Sequence, residues 1–336
     1  MPGCAPRVRP VHWGSKFVRK RAAVIGLAGT AVTADEAALL ARLPPAGVIL
    51  FARNVTSPAQ LLTLTGAVRS VVPGAHILID QEGGRVARLR PPCWLPHPAA
   101  GRLRDARAAW LTGALIGLEC AAGGIDVVCA PVLDLAVPGA NAVVGDRSYG
   151  DYAQVVAHGR AMADGLLAAG MQPVGKHAPG HGRAGADSHV ALPVVTGPVD
   201  ADMAPFRALN DLPWMMTAHV LYPHLDLARP GTLSPVVVEL IRQQIGFQGV
   251  LVSDDLVMGA LQGSMAARAS GAIAAGCDLA LHCNGKIAES EAVLEAAGLA
   301  SALTLRRLTA GRALAARRRQ LLDRAGLLAE RDMALA

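Results

Sequence analysis

One stretch of the chain, VGKHAPGHGRAGADSHVALP over residues 174–193, concentrates side chains that transfer protons or bind metals. Asp187 and His189 lie two residues apart, so the carboxylate can accept a hydrogen bond from an imidazole nitrogen, fix its tautomer and favour its protonated form. Such a pair can protonate a leaving group near neutral pH. The surrounding glycines allow a loop to open and close. The stretch therefore predicts a loop that carries a general acid.

Three other interpretations of this stretch stay open on the residues alone. His177 and His181 are four residues apart, as zinc ligands on one helix are, although Pro179 between them disfavours a helix. Residues 180–185 match the spacing G-x-G-x-x-G of a nucleotide-binding turn, but no helical pattern follows them. The histidine at 189 would otherwise only cap a surface turn.

A second candidate lies in GVLVSDDLVMGAL, residues 249–261. A carboxylate at the end of a buried strand can act as a nucleophile, a metal ligand or a helix N-cap. If the strand keeps its alternation, Asp254 points to the end of the sheet and Asp255 points to the following helix, which it would cap. We therefore assign the chemistry to Asp254 and a supporting role to Asp255.

These candidates must be positioned by buried strands, and the chain has eight continuous apolar runs of the kind that parallel sheets bury on both faces. The runs cover residues 22–26, 47–51, 76–80, 125–131, 171–176, 214–220, 249–254 and 277–283. Helical stretches separate them, several with start signals such as Thr33 with Glu36, Ser57 with Pro58, and Ser234 before a proline.

The alternation of strands and helices predicts a single closed (β/α)8 barrel, with an open doubly wound sheet as the alternative. In such a barrel the chemistry sits at the carboxyl ends of the strands. Asp80, Lys176, His177, His219 and Asp254 all fall at or near such ends. We interpret residues 21–336 as this barrel with a C-terminal helix, and residues 1–20 as a basic extension, either disordered or a misassigned start.

Composition restricts the classes of partner. The formal net charge is +6 and aromatic residues make up only 3% of the chain, so we expect a solvated basic surface and no nucleic-acid partner. No apolar run is long enough to cross a membrane, and the N-terminus lacks the pattern of a secretory signal. The six scattered cysteines suit a reducing compartment. We therefore predict a cytoplasmic protein that does not bind membranes.

Four segments together resemble glycoside hydrolase family 3, and most closely its single-domain bacterial β-N-acetylhexosaminidases. They are LIDQEGGRVARLR at 78–90, GKHAPGHGRAGADSH at 175–189, GVLVSDDL at 249–256 and AGCDLALHCN at 275–284. GVILFARNV, APVLDL and GDRSYG match as well, so the resemblance covers about residues 22–290. Two departures stand out: Ala178 replaces a bulky aromatic residue usual in relatives, and the run after Asp255 is one residue shorter than in some.

The resemblance implies a retaining hydrolase that forms a covalent glycosyl-enzyme. Asp254 would be the nucleophile, His189 the acid and base, and Asp187 the group that orients and polarises His189. The sugar subsite implied by the family would contain Asp80, Arg88, Arg147, Lys176 and His177.

The expected activity is removal of terminal β-linked N-acetylglucosamine from muropeptides of the N-acetylglucosaminyl-1,6-anhydro-N-acetylmuramyl type, in peptidoglycan recycling. We expect no metal and no cofactor, and a monomer or weak homodimer. A phosphorylase that passes the sugar to phosphate is an alternative. Less favoured are a metal-dependent amidohydrolase, with His177, His181, His189 and Asp254 as ligands, and a sugar sensor without catalysis.

Overall fold

A computed structural model describes residues 19–137, 139, 143–188 and 191–335. Eight parallel strands form a closed barrel in chain order, and β1 pairs with β8. The strands are β1 (Arg21–Gly26), β2 (Pro45–Leu50), β3 (His76–Ile79), β4 (Val127–Val128), β5 (Gln172–Ala178), β6 (Trp214–Thr217), β7 (Val250–Asp255) and β8 (Leu279–His282). The predicted (β/α)8 barrel is confirmed, and the open sheet is wrong because the two terminal strands are joined.

In the described part of the chain, seven helices, α1 to α7, connect successive strands on the outside of the barrel, and three more, α8 to α10, follow the last strand. They are α1 (Ala34–Arg42), α2 (Pro58–Val71), α3 (Ala106–Ala122), α4 (Tyr152–Ala168), α5 (Asp200–Ala208), α6 (Pro235–Gln243), α7 (Met265–Ala275), α8 (Ile287–Ala297), α9 (Ala302–Arg318) and α10 (Arg324–Leu335). The predicted start signals are confirmed: Thr33 and Glu36 form a capping box, and Ser57 and Ser234 cap helices that begin with proline. None of the helices in the described ranges is both long and apolar enough to span a bilayer.

The fourth strand is much shorter than the predicted run 125–131. Only Val127 and Val128 pair as a strand with β3 and β5. Pro131 has no N–H to donate to a ladder, and the Asp126 carboxylate accepts the Ile77 N–H at 2.9 Å, which ties the start of the run to β3. Beyond the strand the chain stays beside β5 for two more residues, since Val132 forms an isolated parallel bridge with Lys176 and the Leu133 N–H donates to the Lys176 carbonyl at 2.7 Å.

Helix α9 closes the amino-terminal end of the barrel. Leu308 on α9 packs with the side chains inside the barrel, among them Val24, Leu78 and Trp214. Beside them Arg312 Nε donates to His76 Nε2 at 2.8 Å. Side chains from α9 therefore cover the barrel interior at this end.

The prediction for residues 1–20 falls mainly on residues 1–18, which lie outside the described residues. Chain after residue 301 forms α9 and α10, so the single predicted C-terminal helix is two helices.

Candidate active site

A cavity of about 290 Å³ opens at the carboxyl end of the barrel strands. Seven of the eight predicted site residues line it: Asp80, Arg88, Arg147, Lys176, His177, Asp187 and Asp254. The eighth, His189, lies outside the described residues. The volume is at the lower end of the range for small-molecule sites, which suits a single sugar ring.

Two strands, β3 and β5, position the charged centre of the cavity. Asp80 follows β3 directly, and its carboxylate oxygens accept from Lys176 Nζ at 3.1 Å and from Arg88 Nη2 at 3.2 Å. The Asp80 side chain keeps 19% of its surface exposed, whereas the Lys176 side chain keeps 3%. Burial raises the pKa of Asp80, but Lys176 and Arg88 outweigh that effect and lower it below its usual value. The carboxylate is thus ionised and partly open to a ligand, as a hydroxyl-binding group requires.

Glu82 is a site residue that the sequence analysis did not identify. It accepts two hydrogen bonds from Arg147, at 2.8 and 2.9 Å, and one of its oxygens lies 2.6 Å from Lys176 Nζ. Burial raises its pKa, but the two cations bring it down to about 2. Glu82 therefore holds Lys176 and Arg147 at the base of the cavity as a buried anion. Its spacing of two residues from Asp80 was the available signal, since alternate residues of an extended segment share a face.

Asp134 was also missed, although APVLDL was among the matching segments. His177 Nδ1 lies 2.7 Å from Asp134 Oδ2, and Arg147 Nη2 lies 3.5 Å from His177 Nε2. The carboxylate therefore accepts a hydrogen bond from Nδ1–H, and Nε2 is left on the side of Arg147 and the cavity. The resemblance of this segment was the available signal; residue spacing gave none, because Asp134 lies in the irregular segment after β4.

Asp254 lies near the end of β7 and accepts the N–H of Asp255 at 2.8 Å. Burial raises its pKa, but the imidazoles of His177 and His219 and the Asp255 N–H together lower it below its usual value. Asp254 is thus an ionised carboxylate that faces the cavity with one strong internal hydrogen bond. This is the state that a carboxylate nucleophile needs.

The prediction that Asp255 caps the next helix is wrong. Helix α7 begins only at Met265, with Ser264 as its N-cap. The Asp255 carboxylate instead accepts the N–H groups of Val257 and Cys283, both at 3.1 Å, and thereby joins the end of β7 to β8. Burial, aided by the neighbouring Asp254, raises the pKa of Asp255 to about 6. An irregular turn, and not a helix, follows the strand.

His219, for which no role was predicted, is fully buried beneath the cavity floor. Its Nε2 lies 2.9 Å from the Asp255 carbonyl oxygen, which can only accept, so Nε2 carries the proton. Its Nδ1 bonds the Thr232 hydroxyl at 2.7 Å. His219 therefore supports the backbone around the two aspartates.

The predicted acid loop lies over the same cavity, and Asp187 and Ser188 are among its lining residues. Ser188 is fixed at two points: its carbonyl accepts the Ala260 N–H at 3.1 Å, and its hydroxyl lies 3.3 Å from His181 Nε2. Gly182 passes so close to Leu135 that a Cβ there would lie 2.2 Å from the Leu135 carbonyl oxygen. The loop is thus held against the cavity rather than projecting into solvent.

The nucleotide interpretation of the loop is wrong. The helix that a phosphate-binding turn requires is missing after Gly185, because the next helix, α5, begins at Asp200. Among the described residues, no three or more histidines, cysteines or acidic residues are grouped closely enough to hold a metal ion. His177 Nδ1 and His181 Nε2, two nitrogens that a zinc site would use, are bonded to Asp134 and Ser188 instead.

Comparison with known proteins gives a consistent result. Residues 17–311 match the model of the glycosyl hydrolase family 3 N-terminal domain. A β-hexosaminidase of Methylococcus capsulatus is 41% identical over 273 residues, which are 77% of this chain and 81% of that protein. A β-hexosaminidase of Pseudomonas aeruginosa is 39% identical over 285 residues, which are 81% of this chain and 85% of that protein.

Solved structures agree with the fold and the family. A family 3 β-N-acetylglucosaminidase from Paenibacillus superposes with a TM-score of 0.82 at 32% identity, over 93% of this chain and 67% of that chain. NagZ from Neisseria gonorrhoeae, in complex with N-trifluoroacetyl-D-glucosamine, superposes with a TM-score of 0.77 at 30% identity, over 94% and 98% of the two chains. The chain is a glycoside hydrolase and belongs to glycosyl hydrolase family 3.

Proposed function

We propose that this protein is a retaining β-N-acetylglucosaminidase that removes terminal N-acetylglucosamine from muropeptides. The observation that carries the proposal is Asp254, an ionised carboxylate facing a sugar-sized cavity whose opposite wall holds Asp80 and its two cations. A polyhydroxylated ring needs such fixed donors and acceptors for its orientation.

The proposed reaction has two steps. Asp254 attacks the anomeric carbon as the glycosidic C–O bond breaks, and the departing oxygen takes a proton from His189. His189 then removes a proton from water, whose oxygen attacks the same carbon and releases the Asp254 carboxylate. Asp187 would orient His189 by accepting from its ring. The use of an imidazole departs from the usual pair of carboxyl groups in retaining glycosidases.

Asp80, Arg88, Arg147, Lys176 and His177 form the proposed subsite for N-acetylglucosamine. For the remainder of the substrate, an anionic muropeptide suits the net charge of +6 and the half-exposed Arg85 at the cavity rim. Its relatives include NagZ bound to a glucosamine derivative. The five cysteines in the described residues are free thiols, which supports a role in the cytoplasm, where products of peptidoglycan turnover would be recycled.

The test uses 4-nitrophenyl N-acetyl-β-D-glucosaminide with the wild type, Asp254→Ala and His189→Ala, each with and without EDTA. Asp126→Ala is the matched control, because this aspartate lies at the opposite end of the barrel. We expect the Asp254 variant to lose at least about 10³-fold in kcat, and the His189 variant to lose less, since nitrophenolate leaves without much acid assistance. Loss of wild-type activity in EDTA, or an active Asp254→Ala enzyme, would overturn the assignment.

Two further measurements address substrate and acceptor. Mass spectrometry of a digest of N-acetylglucosaminyl-1,6-anhydro-N-acetylmuramyl peptide should show release of free N-acetylglucosamine. The same reaction in phosphate buffer should not yield the sugar 1-phosphate, whose appearance would instead establish the phosphorylase alternative.

A further inference from the structure

The Asp134 carboxylate contacts both histidines of the segment where β5 passes into the acid loop. The rings of His177 and His181 also meet edge to face, with centroids 5.9 Å apart. The residue is 1% exposed and follows β4, directly after Leu133, whose N–H donates to the Lys176 carbonyl of β5 at 2.7 Å. Its Oδ2 accepts from His177, at 2.7 Å from the ring and 3.2 Å from the backbone N–H. Its Oδ1 accepts the backbone N–H of His181 at 2.7 Å. One buried anion thus holds a residue of the sugar subsite and the first turn of the loop.

On the subsite side, the contact fixes the His177 ring. With Nδ1 bonded to Asp134, Nε2 is the nitrogen near Arg147 and the cavity. Burial raises the pKa of Asp134, but His177 and His181 more than offset this and lower it, so the anchor is an anion at neutral pH.

On the loop side, the contact continues through His181. The backbone of His181 is held by Asp134, and its ring bonds the Ser188 hydroxyl at 3.3 Å. The Ser188 carbonyl is held by Ala260, in the turn that follows the Asp254 strand. Asp187 directly precedes Ser188 in the chain, so these contacts of Ser188 also hold the backbone that carries Asp187.

We propose that Asp134 is a positioning residue that couples the sugar subsite to the acid loop: one oxygen orients His177, and the other, through His181 and Ser188, places Asp187, the proposed partner of His189. The inference rests on the proposed function. It predicts that loss of Asp134 impairs two separable things, binding of the sugar and protonation of the leaving group.

Two substrates of almost the same shape separate these effects. Phenyl and 4-nitrophenyl N-acetyl-β-D-glucosaminides present the same sugar, but phenolate is the poorer leaving group and depends more on the acid. The quantity measured is the ratio of kcat/KM for the nitrophenyl to the phenyl substrate. The variants are Asp134→Asn, His181→Ala and His177→Ala. Asp126→Asn is the control, a partly buried aspartate that likewise accepts a backbone N–H and faces a cationic side chain.

We expect Asp134→Asn to lower kcat/KM for both substrates and to raise the ratio about tenfold or more. The reason is that moving a catalytic group by about 1 Å can lower the reaction rate by up to about 10²-fold. His181→Ala should raise the ratio with a smaller loss on the nitrophenyl substrate. His177→Ala should lower both rates and leave the ratio unchanged, and the control should change neither.

A ratio within about twofold of wild type in a folded Asp134→Asn enzyme would overturn the coupling. If Asp134→Asn shows no cooperative thermal transition, His181→Ala becomes the test. An unchanged ratio in His181→Ala would overturn the proposed link from Asp134 through His181 to the acid loop. A wild type that hydrolyses neither substrate would instead defeat the proposed function, so the two failures are distinguishable.

Discussion

Glu82 offers the strongest test of the electrostatics, because its removal leaves two buried cations without their shared anion. Its carboxylate is bidentate to Arg147 and lies 2.6 Å from Lys176 Nζ, and the three side chains are at most 10% exposed. The change Glu82→Gln keeps the shape and removes the charge. The two cations that lose this anion also line the cavity.

The expected loss of stability in Glu82→Gln follows from the pKa of Glu82, which falls from 4.5 to about 2 in the folded protein. A difference of that size corresponds to about 3 kcal/mol of stabilisation at neutral pH, the same order as the measured cost of breaking a buried ion pair. Because the folded pKa is the lower one, the contribution is complete above about pH 4.5 and is lost as the pH falls toward 2. At pH 3 about 1 kcal/mol of it should remain.

The assay is urea unfolding of wild type and Glu82→Gln at pH 7, 5, 4 and 3. The difference in unfolding free energy should be about 3 kcal/mol at pH 7 and 5 and shrink below pH 4.5, because protonated Glu82 resembles glutamine. The matched control is Glu36→Gln: this buried carboxylate accepts backbone N–H groups from Ala28 and Thr33 but pairs with no cation in the described residues. A difference below about 1 kcal/mol at pH 7, or one that does not change with pH, would refute the reasoning.

Three further changes test other parts of the structure. Gly182→Ala would drive a Cβ into the Leu135 carbonyl and displace the loop. In steady-state assays kcat/KM on the phenyl substrate should fall at least about tenfold, while the melting temperature changes little. An unaffected rate would show that the loop tolerates the shift. Asp255 has a raised pKa of about 6, so the wild type loses stability as the pH rises through 6. In chemical unfolding, Asp255→Asn should be up to about 3 kcal/mol more stable than the wild type at pH 7 and as stable as the wild type near pH 4. Equal stability of the two proteins at both pH values would contradict this. Burial and Arg312 keep the pKa of His76 well below 6.5, so the wild type should lose stability as the pH falls below 6.5. The melting temperature of His76→Gln, which can still accept a hydrogen bond from Arg312, should fall less than that of the wild type between pH 7 and 5. Equal falls in the two melting temperatures would contradict this.

The barrel and much of its site could be predicted because both depend on local patterns. Eight continuous apolar runs indicate buried parallel strands, and residues at strand ends such as Asp80, Lys176 and Asp254 must meet at one edge of a closed barrel. Where the strand that carries a residue sets its position, the spacing of residues along the chain is sufficient to predict that position.

The errors and omissions fall where the chain leaves the regular elements. Glu82 lines the cavity and Asp134 lies behind it, and both belong to irregular segments whose path depends on contacts distant in sequence, such as that between Asp134 and His181. The assignment of Asp255 as a helix cap failed for the same reason, since the pattern of residue types does not show that a turn of several residues intervenes before α7. Tertiary contacts determine the positions of these residues, and such contacts cannot be predicted from the pattern of residue types in a single sequence.

The pairing of the first strand with the last has a consequence for how the protein is made. β1 and β8 are separated by most of the chain, yet Ala23, Val24 and Ile25 pair with Ala280, Leu281 and His282. During synthesis the outer edge of β1 has no partner until β8 has left the ribosome, and contacts of such long range form slowly. Unpaired strand edges favour association between chains. Nascent chains of this protein should therefore be most prone to aggregation just before the eighth strand emerges.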